Sequence, residues 1–193
     1  MTVKGPIEAK QPFGHAISSL NRRLALEVAL ELFGSEEVDP TLDHILRAQD
    51  VNYAALLDRI GPICQRRIAF GRRLLSFELD ELGWPGFIMA VHDINGKSVI
   101  DLVGWPKRRP QDFGTYFGYA GLLGGDAAVN PASFAEEPCP IWWTPISWLQ
   151  SGARGCVVLD PHVANPILTQ APGQFQCEDA EHVDLLIDSG ALQ

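Results

Sequence analysis

The spacing of apolar residues changes part-way along the chain, and this change limits the folds that the chain can adopt. Between Ile17 and Ile60 apolar residues recur every three or four positions, which is the spacing of amphipathic helices. At Leu75 the period changes: Leu75, Phe77 and Leu79 alternate with polar residues, as in a strand with one solvent-facing side. Helices followed by strands predict an α+β fold and argue against a coiled coil, a repeat array or a disordered chain.

Three helices are predicted in a helical front section, residues 15–62. The first is expected to begin near His15, to end at Gly34 and to be buried over much of its circumference, because apolar residues surround most of it. The second follows Asp39 and the third follows Asn52, both of which are good N-cap residues. Residues 63–73 fit neither the helical nor the strand period.

The sheet is predicted in the body of the protein, residues 74–193. Two apolar runs joined through Asn95-Gly96 predict a β-hairpin with a type I′ turn, in which both central residues adopt positive φ. Together with a strand at Leu75–Leu79 they are expected to form a three-stranded antiparallel meander. A helix carrying Phe113, Tyr116 and Phe117 is predicted next.

The C-terminal part of the body is predicted to alternate as strand, helix, strand, helix. Strands are expected at 141–143, 156–159 and 175–177, and the last helix at 180–187. A capping residue followed by proline, which is typical of helix starts, occurs at Asp39, Asn130, Thr144 and Asp160. Residues 15–193 are therefore predicted to form one domain, preceded by a disordered tail at 1–14 that lacks any periodic pattern.

Charge is divided unevenly along this acidic chain of 193 residues and net charge −9. Residues 1–110 carry 14 Lys and Arg against 14 Asp and Glu, whereas residues 111–193 carry one Arg against ten acids. An acidic back half repels nucleic acid and anionic membranes. Nucleic acid is therefore an unlikely partner by composition, and contact with phosphates is expected only from the front half.

Four dispersed cysteines lack the paired spacing of a metal knuckle or a redox motif. They predict buried thiols in a reducing compartment, with no metal and no cofactor. The first residues also lack the apolar core of a signal peptide, and no apolar run is long enough to span a membrane. We therefore expect a soluble, cytoplasmic protein.

One part of the sequence resembles a known group. The segment from Trp143 to Asp160, with the hairpin end Asp101-Leu102-Val103-Gly104-Trp105, is similar to a pattern in small bacterial proteins of unknown function. That group is associated with prophage and mobile-element neighbourhoods, and the resemblance covers about a third of the chain. It implies a bacterial source and carries no catalytic or binding residue.

The strongest enzyme-like feature is Asp160 with His162, directly after an apolar strand. A carboxylate and an imidazole at the carboxyl end of a strand are suited to general acid–base chemistry, so a small hydrolase or transferase is one hypothesis. The alternative is that Asp160 caps the following helix. His92, Asp93 and Asp101 on the hairpin form a weaker candidate, because successive strand residues face opposite ways.

Two other sets of residues suggest binding. A cationic set could contact phosphates in a nucleic-acid-associated protein if its members converged: Arg66, Arg67, Arg72, Arg73, Lys107, Arg108 and Arg109. Trp142, Trp143 and Trp148 suggest a protein partner or self-association, because tryptophan is enriched at interfaces, although it is also a normal core residue. The preferred hypothesis is a non-catalytic binding or regulatory protein that acts through protein–protein contacts.

Overall fold

A computed structural model describes residues 19–33, 40–70 and 76–192. Within these ranges helices and strands occur together, with an antiparallel sheet and a second, mixed sheet, which confirms the α+β fold. The predicted tail, the end of the first helix at Gly34 and the Asp39 cap lie outside the described residues. The prediction that 15–193 form one domain stays a prediction.

The elements follow one another as helices, a first sheet, and an alternating second part. The helices are α1 (Ser19–Phe33), α2 (Pro40–Arg47), α3 (Tyr53–Ile60), α4 (Gly125–Val129), α5 (Pro145–Gln150), α6 (Pro161–Thr169) and α7 (Ala180–Asp188). The strands are β1 (Ile63–Phe70), β2 (Phe77–Leu79), β3 (Trp84–His92), β4 (Val99–Pro106), β5 (Gly114–Thr115), β6 (Leu122–Leu123), β7 (Cys139–Trp142), β8 (Cys156–Val158) and β9 (Phe175–Cys177). A 3₁₀ helix covers Pro131–Phe134.

The first sheet has the strand order β2-β1-β3-β4-β5 and is antiparallel throughout. The predicted meander is therefore wrong, because β1 lies between β2 and β3. The strand character of β1 is hidden in the sequence by its charged residues. Arg66 is half-buried and Arg67 is exposed, so they interrupt the apolar alternation of a strand that is otherwise partly buried.

The hairpin of β3 and β4 is confirmed, but its turn differs from the prediction. Gly96 has a φ of 68°, whereas Asn95 is not in the positive-φ region, which excludes a type I′ turn. The Asp93 carboxylate organises the loop instead, since its Oδ1 accepts hydrogen bonds from the backbone N–H of Asn95, Lys97 and Ser98. A side chain thus replaces the backbone geometry that the dipeptide suggested.

No helix forms between 107 and 121, a stretch that the structure describes throughout, so the helix predicted around Tyr116 is wrong. The loop is held by the fully buried carboxylate of Asp101. Its Oδ1 accepts from the N–H of Leu102 and Phe117, and its Oδ2 accepts from Tyr119 and Ala120, at 2.6–3.0 Å. Burial raises the pKa of Asp101, and these backbone hydrogen bonds oppose the rise.

The second sheet has the order β6-β8-β7-β9, in which β7 pairs in parallel with both β8 and β9. Its strand-helix-strand-helix order confirms the prediction for the C-terminal part. The side chains of Asn130, Thr144 and Asp160 accept backbone N–H groups at helix starts, as predicted. Asn52 makes no side-chain capping bond to the described start of α3, where its backbone carbonyl accepts from Ala55 instead.

The largest core cluster contains residues from α2, α3, both sheets and α5, so the described front and back parts share one apolar interior. A second cluster lies between the second sheet and helices α6 and α7. A third cluster lies between α1 and the opposite side of the first sheet. The first sheet is therefore covered on both faces, which explains the nearly continuous burial of β3 and β4.

Helix α1 contacts the first sheet through a narrow face. Ala25, Ala29 and Leu32 are buried there, whereas four leucines on its other sides are exposed. The expectation of burial over much of the circumference is wrong. The physical reason is that the sheet covers one side of α1, and no other described element packs against the remainder to the same extent.

Candidate functional site

Asp160 is used for helix capping. Its Oδ1 accepts hydrogen bonds from the backbone N–H of His162 and Val163, at 2.8 and 3.2 Å. The side chain of His162 is exposed in the first turn of α6. Asp160 therefore has the helix-capping role that the sequence offered as the alternative. The hypothesis of a hydrolase or transferase at Asp160 and His162 gains no support.

The three tryptophans are held largely inside the chain. Trp148 is 5% exposed in the main core, and its Nε1 donates to the carbonyl of Gly155. Trp142 is half-buried against the same core and donates from Nε1 to the carbonyl of Arg154. Their ring N–H groups are satisfied internally, so these two residues present little surface that a partner would need to cover.

Trp143 is also half-buried, and it links β7 to α7. Its ring stacks on the imidazole of His182 with 4.3 Å between centroids, and its backbone N–H donates to Glu178. His182 is 2% exposed, and its Nδ1 has no hydrogen-bond partner among the described residues. Burial lowers the pKa of His182, while the nearby carboxylates of Glu178 and Asp179 oppose that change. Self-association through the tryptophans stays a prediction.

The first sheet brings part of the predicted cationic set together. Arg67 pairs with Pro85 in the ladder, and the N–H of Lys107 donates to the carbonyl of the same Pro85. Arg109 lies 4.0 Å from the centre of the Trp84 ring, which is 51% exposed. We call Arg67, Trp84, Lys107, Arg108 and Arg109 the basic end of the sheet.

The remaining cations do not join this group in the described structure. Arg66 neighbours Arg67 on β1 and therefore points to the opposite face of the strand. Arg72 and Arg73 lie outside the described residues. Acids also reduce the local positive charge, since Arg109 forms an ion pair with Asp112 at 3.1 Å. The basic end is thus a small cationic surface with one exposed aromatic ring.

A cleft of about 310 Å³ lies near the C-terminal end of α3, the end of β3 and the start of α4. His92 lines it together with Asp58, Arg59, Asp126 and apolar residues that include Met89. Burial lowers the pKa of His92, although Asp93 and Asp126 favour its charged form. Sequence analysis considered His92 with Asp93 and Asp101, whereas the fold places it near Asp126, for which no sequence spacing gave a signal.

The exposed leucines of α1 form the apolar surface that sequence analysis missed. We call Leu20, Leu24, Leu26 and Leu30 the leucine face; their exposed fractions are 72%, 45%, 46% and 60%. Two exposed charges, Arg23 and Glu27, lie between them and form an ion pair of 2.8 Å. The helical spacing was visible in the sequence, but the sequence did not show which side of α1 the sheet covers.

The four cysteines all lie within the described residues, and none of them forms a disulfide. Burial raises the pKa of Cys139 to about 11 and also raises the pKa of Cys156, so these thiols are protonated at neutral pH. In the described part of the chain no group of three or more His, Cys, Asp or Glu side chains is placed to hold a metal ion.

Comparisons with protein-family models, with curated proteins and with solved structures gave no match to this chain. None of the described helices combines the length and apolar character that crossing a membrane requires.

Proposed function

We propose that this protein is a non-catalytic binding protein that acts through protein–protein contacts made by the leucine face of α1. The observation that carries the proposal is the exposure of four leucines on one helix of 15 residues. Isolated exposed leucines are normal on protein surfaces, whereas several on one helix form an apolar patch of the kind found at contact sites.

Exposure of the leucine face to water is energetically unfavourable. Complete burial of a leucine side chain contributes about 1.5–3 kcal/mol, and each of these leucines keeps 45–72% of its accessible surface. A protein surface that covers the patch therefore gains a substantial apolar contribution. The ion pair between Arg23 and Glu27 crosses the same surface, so the partner must also accommodate charges of both signs.

Site-specific photo-cross-linking in the native host tests this proposal. A photo-reactive benzoylphenylalanine is introduced at Leu26, and a matched control is placed at Ile187, which is 50% exposed on α7. We expect an adduct heavier than the single chain from position 26, absent from position 187, and lost when Leu20 and Leu30 are both replaced by Gln. Failure to form an intermolecular adduct at position 26 would refute the proposal.

A second candidate function is weak binding of a polyanion, such as nucleic acid, at the basic end of the sheet. The observation that favours it is the strand pairing that brings Arg67 and Lys107 to opposite sides of Pro85, beside the exposed Trp84 ring. Cations beside an exposed aromatic ring are suited to contact phosphates and to stack on bases. The net charge of −9 works against such binding.

Fluorescence anisotropy of a labelled oligonucleotide at low salt tests the second candidate. Reversing Lys107 and Arg108 to Glu is expected to abolish binding, which should also weaken steeply as salt is added. Reversing the exposed Lys97, in the hairpin turn at the other end of the sheet, is the matched control and should have little effect. Equal binding by both variants would exclude the basic end as the site.

The cellular setting is part of the same proposal. The resemblance described above supports a bacterial protein from a prophage or mobile-element neighbourhood, and the buried thiols of Cys139 and Cys156, which form no disulfide, support a reducing compartment such as the cytoplasm. Neither a cofactor nor a metal is required for a function that consists of protein contacts.

A further inference from the structure

We infer that the partner on the leucine face is a second copy of this chain, bound through α1 in an antiparallel pair with two-fold symmetry. This inference rests on the proposed function, because it names the occupant of the same surface. It predicts a closed dimer in which both copies bury the same residues.

The first argument is the symmetry of the residues along the helix. Leu20 and Leu30 are equally far from Ala25, and so are Leu24 and Leu26. Ala25 itself is fully buried against the sheet, and the four exposed leucines are distributed evenly above and below its level on the outer surface of α1. A two-fold axis at this level, perpendicular to two antiparallel copies of α1, places Leu24 beside Leu24 of the other copy and Leu26 beside Leu26, as a self-complementary interface requires.

The second argument is the position of the flanks. With 3.6 residues per turn, Leu20 and Leu24 lie on one flank of the outer surface, and Leu26 and Leu30 lie on the other. Two copies of such a helix can therefore place leucines against leucines on both sides of the contact. The centre of the outer surface is left to Arg23 and Glu27.

The third argument is charge, and it selects the antiparallel arrangement. Arg23 and Glu27 are also equally far from Ala25, and both side chains are exposed, at 77% and 56%. In an antiparallel pair each Arg23 lies opposite Glu27 of the other copy, which gives two attractive contacts. A parallel pair would place Arg23 against Arg23, and like charges at an interface are unfavourable.

The two kinds of contact have different roles. At the centre of the contact the charges lose part of their hydration, and the pairs between copies offset that cost and set the orientation, while the leucines supply most of the affinity. The two ion pairs within separate copies of α1 can be exchanged for the two pairs between copies without loss of a charge partner. Dimerisation therefore removes apolar surface from water and pairs both central charges, while the exposed Glu31 lies near the end of α1, outside these pairs.

Charge-reversal variants provide the test, measured by sedimentation equilibrium on the full chain. In Arg23→Glu both positions are acidic, and in Glu27→Arg both are basic, so each variant repels its own copy. We expect the wild type to show twice the monomer mass of 21.2 kDa. Each variant alone should dimerise at least about tenfold more weakly.

Mixing distinguishes contacts between chains from the ion pair within one chain. An equimolar mixture of the two variants pairs acids with bases, so it should recover a dimer within about threefold of the wild-type affinity. The ion pair between positions 23 and 27 within one chain stays broken in both variants. If these residues acted only within one chain, mixing would therefore not restore the dimer affinity. Replacing Leu20 and Leu30 with Gln should give a monomer that keeps its fold by circular dichroism.

Several outcomes would overturn the inference. A wild-type chain that stays at 21.2 kDa up to about 1 mM, where even weak contacts form, would overturn it. Charge-reversal variants that do not dimerise on mixing would also overturn it. If position 26 then cross-links to a different protein, the proposed function stands and the choice of partner is wrong. A cross-link confined to a single chain would show that the chain covers its own helix and would overturn both proposals.

Discussion

Replacing Asp101 with Asn tests the role of a buried carboxylate that shapes the loop after β5. The two side chains have nearly the same shape, but the amide has one acceptor oxygen where the carboxylate has two. Each carboxylate oxygen accepts two backbone N–H groups, so in either orientation of the amide two N–H groups lose their acceptor. They would instead face the N–H groups of the amide.

The expected loss follows from these two donors. A buried N–H without an acceptor costs about 1–3 kcal/mol, while removal of a buried charge offsets part of that cost. We therefore expect Asp101→Asn to lower the free energy of unfolding by about 2–4 kcal/mol, measured by urea denaturation. For a chain of this length, 3 kcal/mol corresponds to a decrease in melting temperature of about 6–12 °C.

The matched control is Asp93→Asn in the hairpin turn. Asp93 also accepts backbone N–H groups, but it does so through Oδ1 in a turn that is exposed at Asn95 and Lys97, so an amide oxygen can replace it. A change of less than about 1 kcal/mol is expected there. An Asp101→Asn variant within about 0.5 kcal/mol of the wild type would show that the four hydrogen bonds do not hold this loop.

Three further predictions concern the second sheet and its helices. Asp160→Ala should lower the free energy of unfolding, measured by denaturation, by about 1 kcal/mol because the α6 cap is lost. Asp160→Asn should be tolerated, because Asn is also a good N-cap residue. Gly155→Ala should lower the free energy of unfolding by more than about 2 kcal/mol, because a Cβ at its φ of 77° would meet the backbone of β7. Gly152→Ala, where φ is similar but the space is open, should lower it by about half as much. Because burial lowers the pKa of His182, the folded chain binds fewer protons there than the unfolded chain, so stability should fall as the pH decreases below about 6.5. His182→Phe, which retains a ring for Trp143, should reduce this pH dependence in denaturation curves measured from pH 5 to 8.

Part of the candidate surfaces could be predicted from the sequence. The cap role of Asp160 was readable because the residues concerned are adjacent in the chain. The basic end of the sheet was predicted as a set of cations, but its membership depended on the register of β1 against β3. That register placed Arg67 beside Pro85 and turned Arg66 to the other face of the strand.

Two of the wrong predictions share a physical cause. The turn at Asn95-Gly96 and the loop at Tyr116 were predicted from local backbone preferences, and in both places a carboxylate accepts the backbone N–H groups instead. For Asp101 the contacts span 16 to 19 positions, beyond the reach of local patterns. Likewise, His92 meets Asp126 only because the fold brings two distant segments to one cleft.

The sequence by itself determined the three front helices, the hairpin, the alternation of strands and helices in the C-terminal part and three helix caps, because these depend on interactions within a few residues. Tertiary structure decided the position of β1 in the sheet, the burial of Asp101 and the exposure of the leucine face. Those features depend on which sides of each element meet a neighbour. Helix α1 shows the difference: its apolar spacing is written in the chain, but the sheet covers the side that carries Ala25 and Ala29 and leaves four leucines in water.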